Sequence, residues 1–82
     1  MQKKLEPEIA DALIRIGDQI KLLRKNRTSL NYKKLSEELK IGQNTYLRIE
    51  KGNADYNLGN LISILIYYKD VKLSDLFRDA GL

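Results

Sequence analysis

LNYKKLSEELKIGQNTYLRIEKG, residues 30–52, holds two short helical patterns that meet across a break. Leu35 and Leu39 stand four apart, Lys40-Ile41-Gly42 interrupts, and Tyr46 and Ile49 resume at a spacing of three. A helix repeats every ~3.6 residues, so each segment has one apolar side, and the two must cross at an angle to bury both. The same periodicity turns Gln43, Asn44, Leu47 and Arg48 outward on the second segment, with Lys51 at its end. Gln and Asn pair bidentately with adenine in a major groove, and Arg does so with guanine. The stretch therefore meets the requirements of a DNA-reading helix-turn-helix spanning about 31–51, with the reading helix at about 43–51.

Outward from this stretch, every segment reads as helix. Glu6-Pro7-Glu8 is a start signal, because Pro tolerates the first helical position and acids favour the positive end of the dipole. Ile9, Leu13, Ile16, Ile20 and Leu23 then form one apolar stripe to about Lys25, with Gly17 inside it as a point of close packing. Asn31 is the expected N-cap of the second helix. The third begins near Gly42, which offers no capping side chain, and ends at Gly52, which suits a positive φ. Asn53 to Tyr56 reads as a loop and Asn57 as the next N-cap. Leu58, Leu61, Ile62, Leu65 and Ile66 give the fourth helix a wide apolar face, and Leu73 to Phe77 make a short fifth.

Charge is concentrated. Residues 1–20, 21–51 and 52–82 carry −1, +6 and −1, so the net +4 resides in the helix-turn-helix and its lead-in. That asymmetry fits a nucleic-acid binder, although a Lys-rich solvated helix surface would produce it too. The chain has no Cys and no His, which leaves no thiolate metal site and no imidazole base. Glu37-Glu38 beside a Lys-rich turn makes no acid–base pair and no phosphate cradle, so neither an enzyme nor a metal or other cofactor is expected. The apolar run 61–68 is far short of the ~20 residues a membrane span needs, and the start lacks the apolar core of a signal peptide. A cytoplasmic, nucleoid-associated protein is the expectation, folded as one domain over residues 1–82.

The stretch from Leu30 to Gly52, the Leu23-Arg24 pair before it and the Arg48-Ile49-Glu50-Lys51-Gly52 run resemble the Cro/phage-repressor (Xre) family of helix-turn-helix regulators. The likeness continues through Asn57-Leu58 and Leu61 to Leu73-Ser74-Asp75-Leu76-Phe77 and covers roughly residues 17–77. It implies an all-α, lambda-repressor-like bundle of about five helices, the second and third forming the DNA-binding unit. It also implies an ion pair between Arg24 and Glu50 that locks the reading helix to its scaffold, though Arg24 is also a candidate phosphate contact. Two departures are visible. The weak cap at Gly42 stands where the family offers Ser or Thr, and Tyr32-Lys33-Lys34 stands where it often has an acid.

Two cations at the positive end of a dipole are unfavourable alone, and a docked phosphate reverses the sign. Tyr32, Lys33, Lys34, Lys51 and Asn53 are accordingly the phosphate candidates, and Gln43, Asn44, Leu47 and Arg48 the base-reading ones. Leu47 suits a thymine methyl or is a single exposed leucine. Thr45 and Tyr46 are expected to support packing. The expected function is sequence-specific binding of double-stranded DNA as a transcriptional regulator, chiefly a repressor. It would act as a homodimer on a palindromic operator, through an interface of Tyr67, Tyr68, Phe77 and Leu82. The alternative is an antitoxin or controller-type autoregulator whose main partner is a protein such as a toxin. A helix-turn-helix scaffold that has lost DNA binding is a third class.

Overall fold

The structure, a computed structural model, describes residues 7–53 and 58–82. Five helices follow one another: α1 (Pro7–Arg27), α2 (Tyr32–Leu39), α3 (Gln43–Lys51), α4 (Leu58–Tyr68) and α5 (Leu73–Asp79). No strand occurs among the described residues. The expected cap at Asn57, the acid at Glu6 and most of the loop after Asn53 lie outside them.

Most of the boundaries have a local cause. Pro7 opens α1 with Glu8 in its first turn, and Arg24, Lys25 and Arg27 occupy its last, where cations complement the dipole. Thr28 closes the helix by donating from its hydroxyl to the Arg24 carbonyl at 2.8 Å. Asn31 caps α2, its Oδ1 accepting from the Lys34 amide at 2.9 Å. Helix α2 ends at Lys40 in the left-handed region (φ 57°), and the Ile41 amide returns to the Ser36 carbonyl at 3.0 Å. Gly42 supplies no side-chain bond to α3. At the other end Gly52 takes φ 77° and sends its amide to Ile49, while Asn53 sends its own to Arg48. In α5 the Asp75 carboxylate accepts from the Lys72 amide at 3.1 Å.

The core gathers Ile16 and Ile20 of α1, Leu35 of α2, Ile41 of the turn, Tyr46 and Ile49 of α3, Leu61, Ile64, Leu65 and Tyr68 of α4, and Leu76 and Ala80 at the C-terminal end. Helix α1 packs against α3 and α5, and α2 against α3 and α4. The result is an all-α bundle. Two expectations need correction. Ile9, read as part of the buried stripe of α1, is half exposed. Leu58 and Ile62, read as inward on α4, face solvent at 61% and 43% exposure, while Ile64 and Tyr68 take the inner positions. The reason is that residues 61–68 are apolar at every position but Ser63, so no polar side marks the helix's rotation. Packing sets it instead.

One contact fixes α3 to the rest. A β-carbon at buried Gly17 would stand 2.5 Å from the Ile49 carbonyl oxygen and 2.7 Å from that of Glu50. A β-carbon at Gly52 would stand 2.5 Å from the Ile14 α-carbon. Helices α1 and α3 thus meet backbone to backbone, which only residues without a side chain permit at this separation. No helix among the described residues is long and apolar enough to cross a membrane.

Candidate nucleic-acid interface

Helix α3 divides cleanly. Tyr46, Ile49 and Glu50 are buried, Gln43, Asn44, Arg48 and Lys51 are exposed, and Leu47 is intermediate. Four polar or cationic side chains therefore stand on the solvent side of a helix whose inner side is anchored.

The anchor combines the Gly17 seam with an ion pair. Arg24 donates from Nε to Glu50 Oε2 at 2.8 Å and from Nη2 to Oε1 at 3.1 Å, a bidentate pairing, and from Nη1 to the Leu30 carbonyl at 3.3 Å. The side chains are 12% and 4% exposed, so water contributes little screening. The bond to Glu50 holds the Arg24 guanidinium above its ordinary pKa, against the opposing effect of burial. This one pair joins α1, the lead-in to α2 and the end of α3. Against it lies the Tyr46 ring, fully buried, its hydroxyl near Glu50 but outside hydrogen-bond geometry. Burial first, and the neighbouring carboxylate second, push that hydroxyl's pKa up. The buried Tyr68 hydroxyl likewise has no hydrogen-bond partner among the described residues and is pushed up to about 12, mainly by burial and then by Tyr67.

Beside the pair lies an open depression lined by Asp18, Lys21, Arg24, Tyr32, Leu47, Glu50, Lys51 and Asn53. It unites Tyr32, Lys51 and Asn53 from the phosphate candidates with Leu47 from the base-reading set. It does not include Lys33 or Lys34, which are exposed at the first turn of α2. Lys34 instead borders a separate depression with Leu30, Glu37 and Glu38, its ammonium 3.8 Å from the Glu37 carboxylate. The five phosphate candidates thus fall into two groups. Lys21 belongs to the first group and was not singled out from the sequence. Its signal was its place one turn before Arg24, on the side of α1 that meets the end of α3.

The residues named for a dimer interface also divide. Tyr67, Phe77 and Leu82 are exposed at 37%, 37% and 58%. Tyr68 is a core residue at 9% exposure rather than an interface one, because the rotation of α4 that exposes Leu58 and Ile62 turns Tyr68 inward. It still touches the surface through Tyr67, whose ring meets its own edge to face at 5.4 Å and 86°. Ile66, next to Tyr67 and at 68%, is the most exposed large apolar side chain among the described residues. Among the described residues no cluster of three or more His, Cys, Asp or Glu is placed to hold a metal ion.

No known family profile matches the chain, and no solved structure matches it. The chain is 33% identical over 69 residues to control protein C.MunI of Mycoplasma sp., an alignment spanning 84% of this chain and 92% of that protein. The match runs nearly the whole length of both, so the chain belongs to the family of small control proteins that includes C.MunI.

Proposed function

We propose that the protein is a DNA-binding regulator of transcription that recognises a specific duplex sequence with α3 in the major groove. One observation carries the reading: the polar outer side of α3 belongs to a helix held on its inner side by the Gly17 seam and the Arg24–Glu50 pair. A reading helix must present its side chains at a fixed angle, because each bidentate base contact tolerates little displacement. Gln43, Asn44 and Arg48 are the base-reading residues, and Leu47 meets a thymine methyl. Lys33 and Lys34 with the amides of the first turn of α2, and Tyr32, Lys51 and Asn53 beside α3, hold phosphates. Arg24 and Glu50 position the reader rather than touch bases.

The reading includes one domain over residues 1–82, no cofactor and a cytoplasmic, nucleoid-associated site of action. It also includes a homodimer on a palindromic operator, with half-sites about one turn of DNA, ~34 Å, apart, and repression as the main outcome. Tyr67, Phe77 and Leu82 supply the interface. Selection of bound duplexes from a random pool tests it. A palindromic consensus is expected, and Arg48→Ala should lose preference at one base pair, by about 1–3 kcal/mol, with the melting temperature unchanged. Binding without any sequence preference would sink the proposal.

The likeness to a control protein fits a second reading, a controller-type autoregulator, for which the main partner would be a protein. Co-purification with a toxin or restriction enzyme encoded beside it, surviving nuclease treatment, distinguishes this reading from the first.

A further inference from the structure

We propose that the depression between α1, α2 and α3 is a seat for one DNA phosphate, closed by Lys21 of α1 and opposed by Asp18. The inference rests on the DNA-binding reading above and adds to it a contact from the scaffold helix.

The depression is lined by Lys21 of α1, Tyr32 of α2, Lys51 of α3 and Asn53 just beyond it, residues that carry two ammonium groups, a phenol hydroxyl and a carboxamide. Arg24 and Glu50 also line it, but each engages the other through two hydrogen bonds, so their charges balance in place. What remains is two cations, two neutral donors and one acid, Asp18, which stands one turn before Lys21 on α1. Lys21, Lys51 and Asp18 are all exposed, so none of the three charges is consumed by the core. A phosphodiester oxygen suits this set, because it accepts from ammonium, hydroxyl and amide groups alike and its single charge is offset by two flanking cations. Leu47 lines the same depression from the reading helix. A phosphate in the seat therefore lies beside the bases that helix reads, and it fixes how far α3 enters the groove.

Asp18 gives the seat a property that a purely basic patch lacks. Its carboxylate repels any phosphate that enters and holds down affinity for DNA of every sequence. The full set of neighbouring contacts overcomes that repulsion only when the duplex is in register.

The test is equilibrium binding of the full chain to its selected duplex across a salt series, with Lys21→Gln, Asp18→Asn and Lys69→Gln. Lys69 lies at the end of α4 and lines no part of the depression, so it controls for net charge. Lys21→Gln should weaken binding about tenfold and flatten the salt slope by about one counterion, and Lys69→Gln should do neither. Asp18→Asn should tighten binding to unrelated duplex about two- to threefold. A scan replacing one phosphate at a time by a neutral methylphosphonate should find a position that weakens the wild type and leaves Lys21→Gln indifferent. Equal effects of Lys21→Gln and Lys69→Gln, or a scan in which Lys21→Gln retains every sensitivity of the wild type, would overturn the seat while leaving DNA binding intact. Absence of salt-dependent duplex binding by the wild type overturns the DNA-binding reading and the seat with it.

Discussion

The seam between α1 and α3 and the outer face of α4 are opposites. At the seam, backbone meets backbone through Gly17 and Gly52, and a bidentate ion pair clamps the adjoining turn. On α4, Leu58, Ile62 and Ile66 point into solvent at successive steps of four, with no charge anywhere between Leu58 and Tyr68. The seam is satisfied within one chain, whereas the α4 face leaves apolar area uncovered. Rigidity is concentrated where α3 is fixed against α1 within the chain, and the α4 face is left to whatever covers it.

The contrast breaks most readily at the ion pair. Arg24→Ala leaves the Glu50 carboxylate buried without its cation, and a loss of about 3 kcal/mol of unfolding free energy is expected in urea titration. DNA affinity should fall only as a consequence, and should be retained at temperatures where the variant stays folded. A loss confined to affinity, with stability intact, would instead make Arg24 a phosphate contact.

Gly17→Ala comes next. In an ordinary helix interior this change gains up to ~1 kcal/mol, but here the added methyl meets two carbonyl oxygens. A net destabilisation of about 1–3 kcal/mol is expected, and the sign alone decides the matter. A more stable Gly17→Ala protein would mean that the helices do not meet backbone to backbone.

Alkaline pH probes the core beside the seam. Folding raises the Tyr68 pKa from 10.0 to about 12 and raises that of Tyr46 as well. Between these limits the unfolded chain has lost protons that the folded one keeps, so stability is intact below pH 10 and falls as pH rises toward 12. Tyr68→Phe should flatten that fall, measured as urea midpoints from pH 8 to 11.5, leaving the remainder to Tyr46.

The smallest effect on stability belongs to the α4 face. Ile66→Gln should change unfolding free energy by no more than about 0.5 kcal/mol, since the side chain is two-thirds exposed. If the face pairs with a second copy, the same change should lower the sedimentation-derived dimer fraction. An unchanged, strictly monomeric protein would remove the homodimer from the proposed function.

Signals carried by neighbouring residues were legible in the sequence. Asn31 as a cap, the break at Lys40-Ile41-Gly42 and the ending at Gly52 each depend on one turn of chain and on backbone groups that must be satisfied there. The orientation of α3 was legible because polar and apolar residues alternate along it with a helical period. Helix α4 lacks that contrast, and its inner side could not be told from its outer. The apolar run alone points Tyr68 toward an interface, whereas Tyr68 belongs to the core. Lys21 was missed for a different reason. Its neighbours Tyr32, Lys51 and Asn53 lie 11 to 32 residues away in sequence, and only the crossing of three helices gathers them.

The seam has a further consequence for how such a protein diverges. Because the pitch of α3 is set by main-chain contact at Gly17 and Gly52, side chains at 43, 44, 47 and 48 can be exchanged without re-aiming the helix. If α3 reads DNA as proposed, new sequence preference is then reachable by single substitutions that leave the docking angle untouched. A new docking angle would require both glycines' surroundings to move together. Recognition in this architecture is free to drift, while its geometry is inherited.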